Sequence, residues 1–150
     1  MKNLILILST TFLISSLSIA ESWSAQDIAT SADGARSVYA ADLDGDGDMD
    51  IVSASIADNT IAWYENDGNA NPSWSAQNIS TSVGGGAYSV YAADMDGDGD
   101  MDILSASYND DTIAWYENDG NANPSWSAQD IATSADGAYS VYAADMDRDG

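Results

Sequence analysis

From Trp23 onward, short apolar segments alternate with clusters of Asp, Asn, Ser and Gly, and no window carries a helical period. Residues 23–28 form the first apolar segment, and a Ser/Asp/Gly turn follows at 31–34. Residues 37–41 form the second and run directly into an acidic loop. Residues 50–56 leave that loop, Asp58-Asn59 turns the chain, and residues 60–65 return. Asn66-Asp67-Gly68-Asn69 and Asn71-Pro72 then break the pattern before it restarts at Trp74. The pattern predicts four short strands per copy. Ile61 and Trp63 point one way and Ala62 and Tyr64 the other, so both faces of that segment are apolar, which suits a sheet sandwiched between neighbouring sheets.

Trp23, Trp74 and Trp126 each open the same phrase, Trp-Ser-Ala-Gln, at spacings of 51 and 52 residues. The extra residue falls where Ser31-Ala32-Asp33-Gly34-Ala35 becomes Ser82-Val83-Gly84-Gly85-Gly86-Ala87, a Gly-rich turn able to absorb an insertion. Residues 23–47 and 126–150 differ only at Arg36/Tyr139, Leu43/Met146 and Gly45/Arg148. Four strands in roughly 50 residues, repeated, is the pattern of a propeller blade, whereas the turns of a solenoid are usually shorter. The expected fold class is therefore all-β, with β-propeller blades of four antiparallel strands. Closed propellers take about four to eight blades, while this chain holds two complete acidic-loop units and the front half of a third. The sequence thus predicts an incomplete propeller, the N-terminal piece of a longer protein. Its repeat region is 21–150, divided into repeat 1 at 23–73, repeat 2 at 74–125 and a truncated repeat 3 at 126–150.

The acidic loop Asp42-Leu43-Asp44-Gly45-Asp46-Gly47-Asp48-Met49-Asp50 recurs as Asp94-Met95-Asp96-Gly97-Asp98-Gly99-Asp100-Met101-Asp102. It begins again at Asp145-Met146-Asp147-Arg148-Asp149-Gly150. Five carboxylates within nine residues repel one another, and a hard divalent cation is the ordinary way to make such a cluster favourable. Carboxylates at positions one, three and five, a glycine at six for the sharp turn and a carboxylate at nine give calcium-loop spacing. The candidate metal residues are Asp42, Asp44, Asp46, Asp48 and Asp50, then Asp94, Asp96, Asp98, Asp100 and Asp102, then Asp145, Asp147 and Asp149. Plain Asp-Gly hairpin turns are the bland alternative, but a turn needs one such pair and not five carboxylates in this register. An EF-hand fails because its twelfth loop position would be Ser53 or Ser105 and not a bidentate Glu. The Gly-Gly-x-Gly-x-Asp spacing of calcium-binding nonapeptides is absent as well.

Composition narrows the partners. The formal net charge is −22, and thirteen of the 22 aspartates lie in the three loops, so the acidity belongs mainly to the expected metal sites. Such a surface repels phosphate backbones and anionic lipid, which excludes nucleic acid as a partner. A hydrophobic content of 45% with five Trp and eight Tyr argues against disorder. Residues 1–20 read as a signal peptide, with Lys2 before an apolar run and Ser18-Ile19-Ala20 as the cleavage site. The expected location is secreted, extracellular or cell-surface, with the periplasm within that range, and without membrane insertion after cleavage. Cysteine is absent, so disulfides do not hold the fold.

No His or Cys is present, and no Lys remains after signal removal, so familiar triads and imidazole or thiolate metal sites are excluded within this chain. Glu65 and Glu117 occupy equivalent repeat positions, and a repeated position more often serves each blade than a single reaction. We expect no enzyme and no catalytic residue. Trp63 with Tyr64 and Trp115 with Tyr116 are either an aromatic platform for sugar rings or blade-to-blade core.

The run Ser-Val-Tyr-Ala-Ala-Asp-x-Asp-Gly-Asp-Gly-Asp-Met-Asp-Ile, followed by Thr-Ile-Ala-Trp-Tyr-Glu-Asn-Asp-Gly, resembles the FG-GAP and VCBS repeat families of bacterial secreted proteins. Integrin alpha-subunit propellers carry related repeats. The likeness covers residues 23–150, and the absence of Phe-Gly and Gly-Ala-Pro signatures makes the VCBS type the closer match. The resemblance implies a β-propeller with Ca2+ in the hairpin between the first and second strands of a blade. It implies side-chain ligation by Asp42, Asp44, Asp46 and Asp50 with the carbonyl of Asp48, and likewise by Asp94, Asp96, Asp98 and Asp102 with the carbonyl of Asp100. Asp145, Asp147 and Asp149 would form an incomplete third site. In that register residues 23–28 are the fourth strand of a blade whose other strands are not upstream, and so lack their partner. The implied function is a secreted calcium-binding module for adhesion or ligand binding, with an extracellular protein or glycan as partner. An accessory region of a secreted polysaccharide-degrading enzyme and a purely structural spacer are the alternatives.

Overall fold

The computed structural model describes residues 25–147. The expected signal segment at 1–20, together with Trp23 and Asp149, lies outside the described residues. The strands are β1 (Ala35–Ala41), β2 (Asp50–Ser55), β3 (Thr60–Asn66), β4 (Trp74–Ser80), β5 (Ala87–Ala93), β6 (Asp102–Ser107), β7 (Thr112–Asn118) and β8 (Trp126–Ala132). They form two four-stranded antiparallel sheets, in the order β1-β2-β3-β4 and β5-β6-β7-β8. The protein is all-β, and each sheet is a propeller-type blade. Every apolar run is short and ends in turn-forming residues, which favours antiparallel pairing of successive strands within each sheet. At the β2–β3 and β6–β7 tips, Asn59 and Asp111 adopt positive φ of 55 and 58 degrees, a conformation that Asn and Asp tolerate.

The blades are out of phase with the sequence repeat by one strand. Each sequence repeat opens at a tryptophan, whereas Trp74 and Trp126 begin the fourth and outermost strand of a sheet. The equivalent first-copy segment, residues 25–28, carries no ladder because no third strand lies beside it among the described residues. The strand expected over 23–28 is therefore absent in its described part. Its placement is still that of a fourth strand: Gln26 Nε2 donates to the Pro72 carbonyl at 2.9 Å, as Gln77 Nε2 donates to Asn123 Oδ1 at 3.0 Å. Residues 140–144 repeat the text of β1 and likewise form no strand, since nothing among the described residues follows to pair with them.

One core runs through both sheets. Leu43, Val52, Ile61 and Trp63 of the first blade meet Val83, Val90, Ile103 and Tyr116 of the second. Removing Trp63 and Ile61 fully from water contributes on the order of 2–3 kcal/mol each. The innermost strands are joined by a step that recurs at each junction. Tyr39 packs at a tilt against Tyr91 and Tyr91 against Tyr142, both at 4.6 Å between centroids. Ser37 Oγ accepts the Val90 N–H and Ser89 Oγ accepts the Val141 N–H, both at 3.3 Å. Position in the stack decides burial: Val90 is 4% exposed where blade one covers it, and its counterpart Val38 is 66% exposed.

Candidate metal centre

Both complete acidic loops are the hairpins between the first and second strands of a blade, joining β1 to β2 and β5 to β6. Each folds because its own carboxylates hold the backbone. Asp42 accepts the Gly45 and Gly47 N–H groups at 2.9 and 3.1 Å, Asp44 accepts Asp46 N–H at 3.2 Å, and Asp46 accepts Asp48 N–H at 2.8 Å. The second loop repeats this bond for bond through Asp94, Asp96 and Asp98. Gly45 and Gly47 take φ of 76 and 96 degrees, a winding that turns successive carboxylates inward and that a side chain at either position would strain.

In the first loop, carboxylate oxygens of Asp42, Asp44 and Asp50 lie within 4.8 Å of one another. In the second loop the group is Asp94, Asp96 and Asp98, with position five in place of position nine. Asp46 and Asp102 stand outside those groups. The Asp48 and Asp100 side chains turn away instead, toward the β3–β4 and β7–β8 loops, where they lie against Gly68 and Gly120. Asp145 and Asp147 belong to no such group among the described residues.

Asp50 and Asp102 anchor the loops from beneath. Asp50 is buried and accepts the Leu43 N–H at 3.1 Å and the Asn66 N–H at 2.9 Å. Asp102 does the same with Met95 at 3.1 Å and Asn118 at 2.8 Å. Burial pushes both carboxyls above the ordinary carboxylate range, while the two N–H donors on each pull it part of the way back. Asp44 is raised too, by burial first and then by the charges of Asp50 and Asp46. The Trp63 and Trp115 indole N–H groups face Asp50 and Asp102 closely enough to favour their charged forms, yet lie outside hydrogen-bond geometry and have no other partner. No ammonium or guanidinium among the described residues neutralises the loops, because Arg36, the one described cation, sits over the Tyr88 ring at 5.3 Å. An all-oxygen donor set with buried, uncompensated carboxylates fits a hard divalent cation of the calcium type.

Several residues of this site carry no signal in the acidic motif itself. Asn66 and Asn118 tie the base of each loop to the end of the third strand, through hydrogen bonds donated by Nδ2 to the Met49 and Met101 carbonyls, both at 3.1 Å. Gly68 and Gly120 make room for the Asp48 and Asp100 carboxylates, with which a Cβ would collide. The repeated Asn-Asp-Gly after Glu65 and Glu117 is the signal that marks them. Trp63, Tyr64 and Tyr116 are buried and Trp115 is half-buried, so these aromatics form blade core and offer no open platform.

The family model for the FG-GAP-like repeat matches three times, over residues 17–53, 42–105 and 94–150. The chain belongs to the FG-GAP-like repeat family. Searches of curated proteins and of solved structures found no match. Repeats of this family are generally non-catalytic. No helix among the described residues is long and apolar enough to cross a membrane.

Proposed function

We propose that this chain is a secreted calcium-binding repeat module of a β-propeller, acting in adhesion or in binding an extracellular protein or glycan. The observation that carries the calcium reading is the convergence of three carboxylates within 4.8 Å in each complete loop, a group that includes the buried Asp50 in the first loop and lies beside the buried Asp102 in the second. Asp42, Asp44, Asp46 and Asp50 would hold the ion in the first loop, with the Asp48 carbonyl. Asp94, Asp96, Asp98 and Asp102 would do so in the second, with the Asp100 carbonyl. Bound calcium supplies positive charge to a cluster that otherwise repels itself, and its role is architectural.

The chain does the rest. The Asp42 and Asp44 side chains shape the turn, Asp50 joins it to β3 through Asn66, and Leu43 buries the loop's flank against the next blade. A stiffened loop at each first hairpin then keeps the blades in register, so that loops on one rim present a binding surface. Asp46→Ala with Asp98→Ala tests this reading. The double variant is expected to lose most of the rise in melting temperature that calcium gives the parent chain, and an unchanged rise would place calcium elsewhere.

A further inference from the structure

We propose that Asn118 couples the two acidic loops, so that calcium held in the first loop tightens binding in the second; the inference rests on the calcium reading above. A continuous line of hydrogen bonds joins the loops. Asp50 Oδ2 accepts the Leu43 N–H at 3.1 Å, and the Leu43 carbonyl accepts Asn118 Nδ2 at 2.8 Å. The Asn118 N–H in turn donates to Asp102 Oδ1 at 2.8 Å, and Asp102 Oδ2 accepts the Met95 N–H at 3.1 Å. Asp50, Leu43, Asn118 and Asp102 are all buried, so water does not compete for these bonds.

Both amide hydrogens of Asn118 are used, and its oxygen accepts one bond. Its amide nitrogen donates to Leu43 of the first loop and to Met101 of its own, while its Oδ1 accepts the Gly120 N–H at 3.0 Å. The two N–H donors are what an amide supplies and a carboxylate lacks, and an aspartate here would face two carbonyls with like polarity. Asn66 is the internal control. It has the same bonds to its own blade, at the Met49 carbonyl and the Asp50 carboxylate, and among the described residues it reaches no loop of another blade.

The sign of the coupling follows from ordering. Calcium in the first loop fixes Asp50 and with it the Leu43 peptide, which fixes Asn118 and the carboxylate beneath the second loop. The second ion then meets a loop whose ordering is already done, which is positive cooperativity. Charge acts the other way, since one bound ion makes the neighbourhood less attractive to the next. That effect is screened over about 8 Å at physiological salt, and the buried line is not.

Calcium calorimetry on the full chain at physiological ionic strength tests the proposal. The first loop is disabled with Asp44→Asn and Asp46→Asn, which keep the side-chain oxygens that shape the turn and remove two charges. Second-loop affinity is expected to fall about tenfold, within the usual range of site–site coupling. Disabling the second loop with Asp96→Asn and Asp98→Asn must weaken the first by the same factor, because linkage is reciprocal. Asn118→Ala is expected to erase both effects and Asn66→Ala to leave them. Two loops that bind independently in the parent chain would overturn the coupling, and equal losses of coupling in the two Asn variants would overturn the role of Asn118, neither touching the calcium reading. If Asn118→Ala does not fold, Asn118→Ser, which keeps the backbone N–H bond to Asp102 and is too short to reach the Leu43 carbonyl, is read in its place. A folded parent chain that takes up no calcium would overturn the calcium reading beneath it.

Discussion

The two complete acidic loops differ at one residue in nine, Leu43 against Met95, and yet they are not the same site. Leu43 is 1% exposed and Met95 40%, because the second blade covers the flank of the first loop and nothing described covers the second in the same way. The Leu43 carbonyl is braced by Asn118, and the first loop gathers Asp42 and Asp44 around the buried Asp50. The second loop gathers Asp94, Asp96 and Asp98 at its exposed tip, leaving its buried Asp102 aside. Nearly identical text yields two degrees of closure, and the neighbouring blade sets the degree. A motif in a stacked repeat therefore describes half of its site, and the adjoining repeat supplies the remainder.

The sharpest way to break the comparison is at the tryptophans beneath the loops. Trp63 is fully buried between the blades, so Trp63→Ala is expected to cost about 3–5 kcal/mol. Trp115 is half-buried on the side with less cover, and Trp115→Ala is expected to cost less. Urea denaturation of both variants measures the gap. Equal losses would show that the second blade is as well covered as the first.

Next come the buried carboxylates. Asp50→Ala leaves the Leu43 and Asn66 N–H groups without their acceptor and is expected to cost about 1–3 kcal/mol. Acid titration sharpens the point without mutation. Burial raises the carboxyls of Asp50 and Asp102, so their contribution to calcium-free stability is fully present below the unfolded value and is lost as pH rises through the folded one. Calcium-free stability from these two groups should therefore decline from about pH 4 upward. With calcium bound, protons compete with the ion and the trend reverses. Melting curves with and without chelator across that range check the sign.

Gly68→Ala and Gly120→Ala address what the loops share. Each glycine has a positive φ, 70 and 67 degrees, and a Cβ at either would collide with the Asp48 or Asp100 carboxylate. A cost of about 1–2 kcal/mol is expected from the backbone alone, the same in both blades, and thermal melts should show it. The smallest effect is at the residue that separates the loops. Leu43→Met keeps the volume and should cost less than about 1.5 kcal/mol, while Met95→Leu should be close to neutral because that position is exposed.

Much of this architecture was legible in the sequence. Strand segments such as 37–41 and 60–65 emerged within a residue or two of β1 and β3, because turn residues bracket each apolar run and the repeat restates it. The doubly apolar face at Ile61 to Tyr64 was legible for the same reason, and all four side chains are buried. The strand at 23–28 was not, because a ladder needs a neighbour and the text of a fourth strand does not say whether a third lies beside it. The aspartates that converge were legible as a set but not as a group of three. Which of them meet differs between two nearly identical loops, and the first of these also has a covered Leu43 whose carbonyl Asn118 reaches from 75 residues away in sequence. Those are tertiary facts, invisible to the spacing of a nine-residue loop.

The most direct test of the central claim is a calorimetric calcium titration of the intact chain, accompanied by circular dichroism in chelator and in calcium. The account predicts saturable uptake at about two sites, the braced first loop binding more tightly than the second, with a gain in β structure as the acidic hairpins are neutralised. A folded chain that takes up no calcium, its spectrum the same in chelator and in calcium, would contradict it.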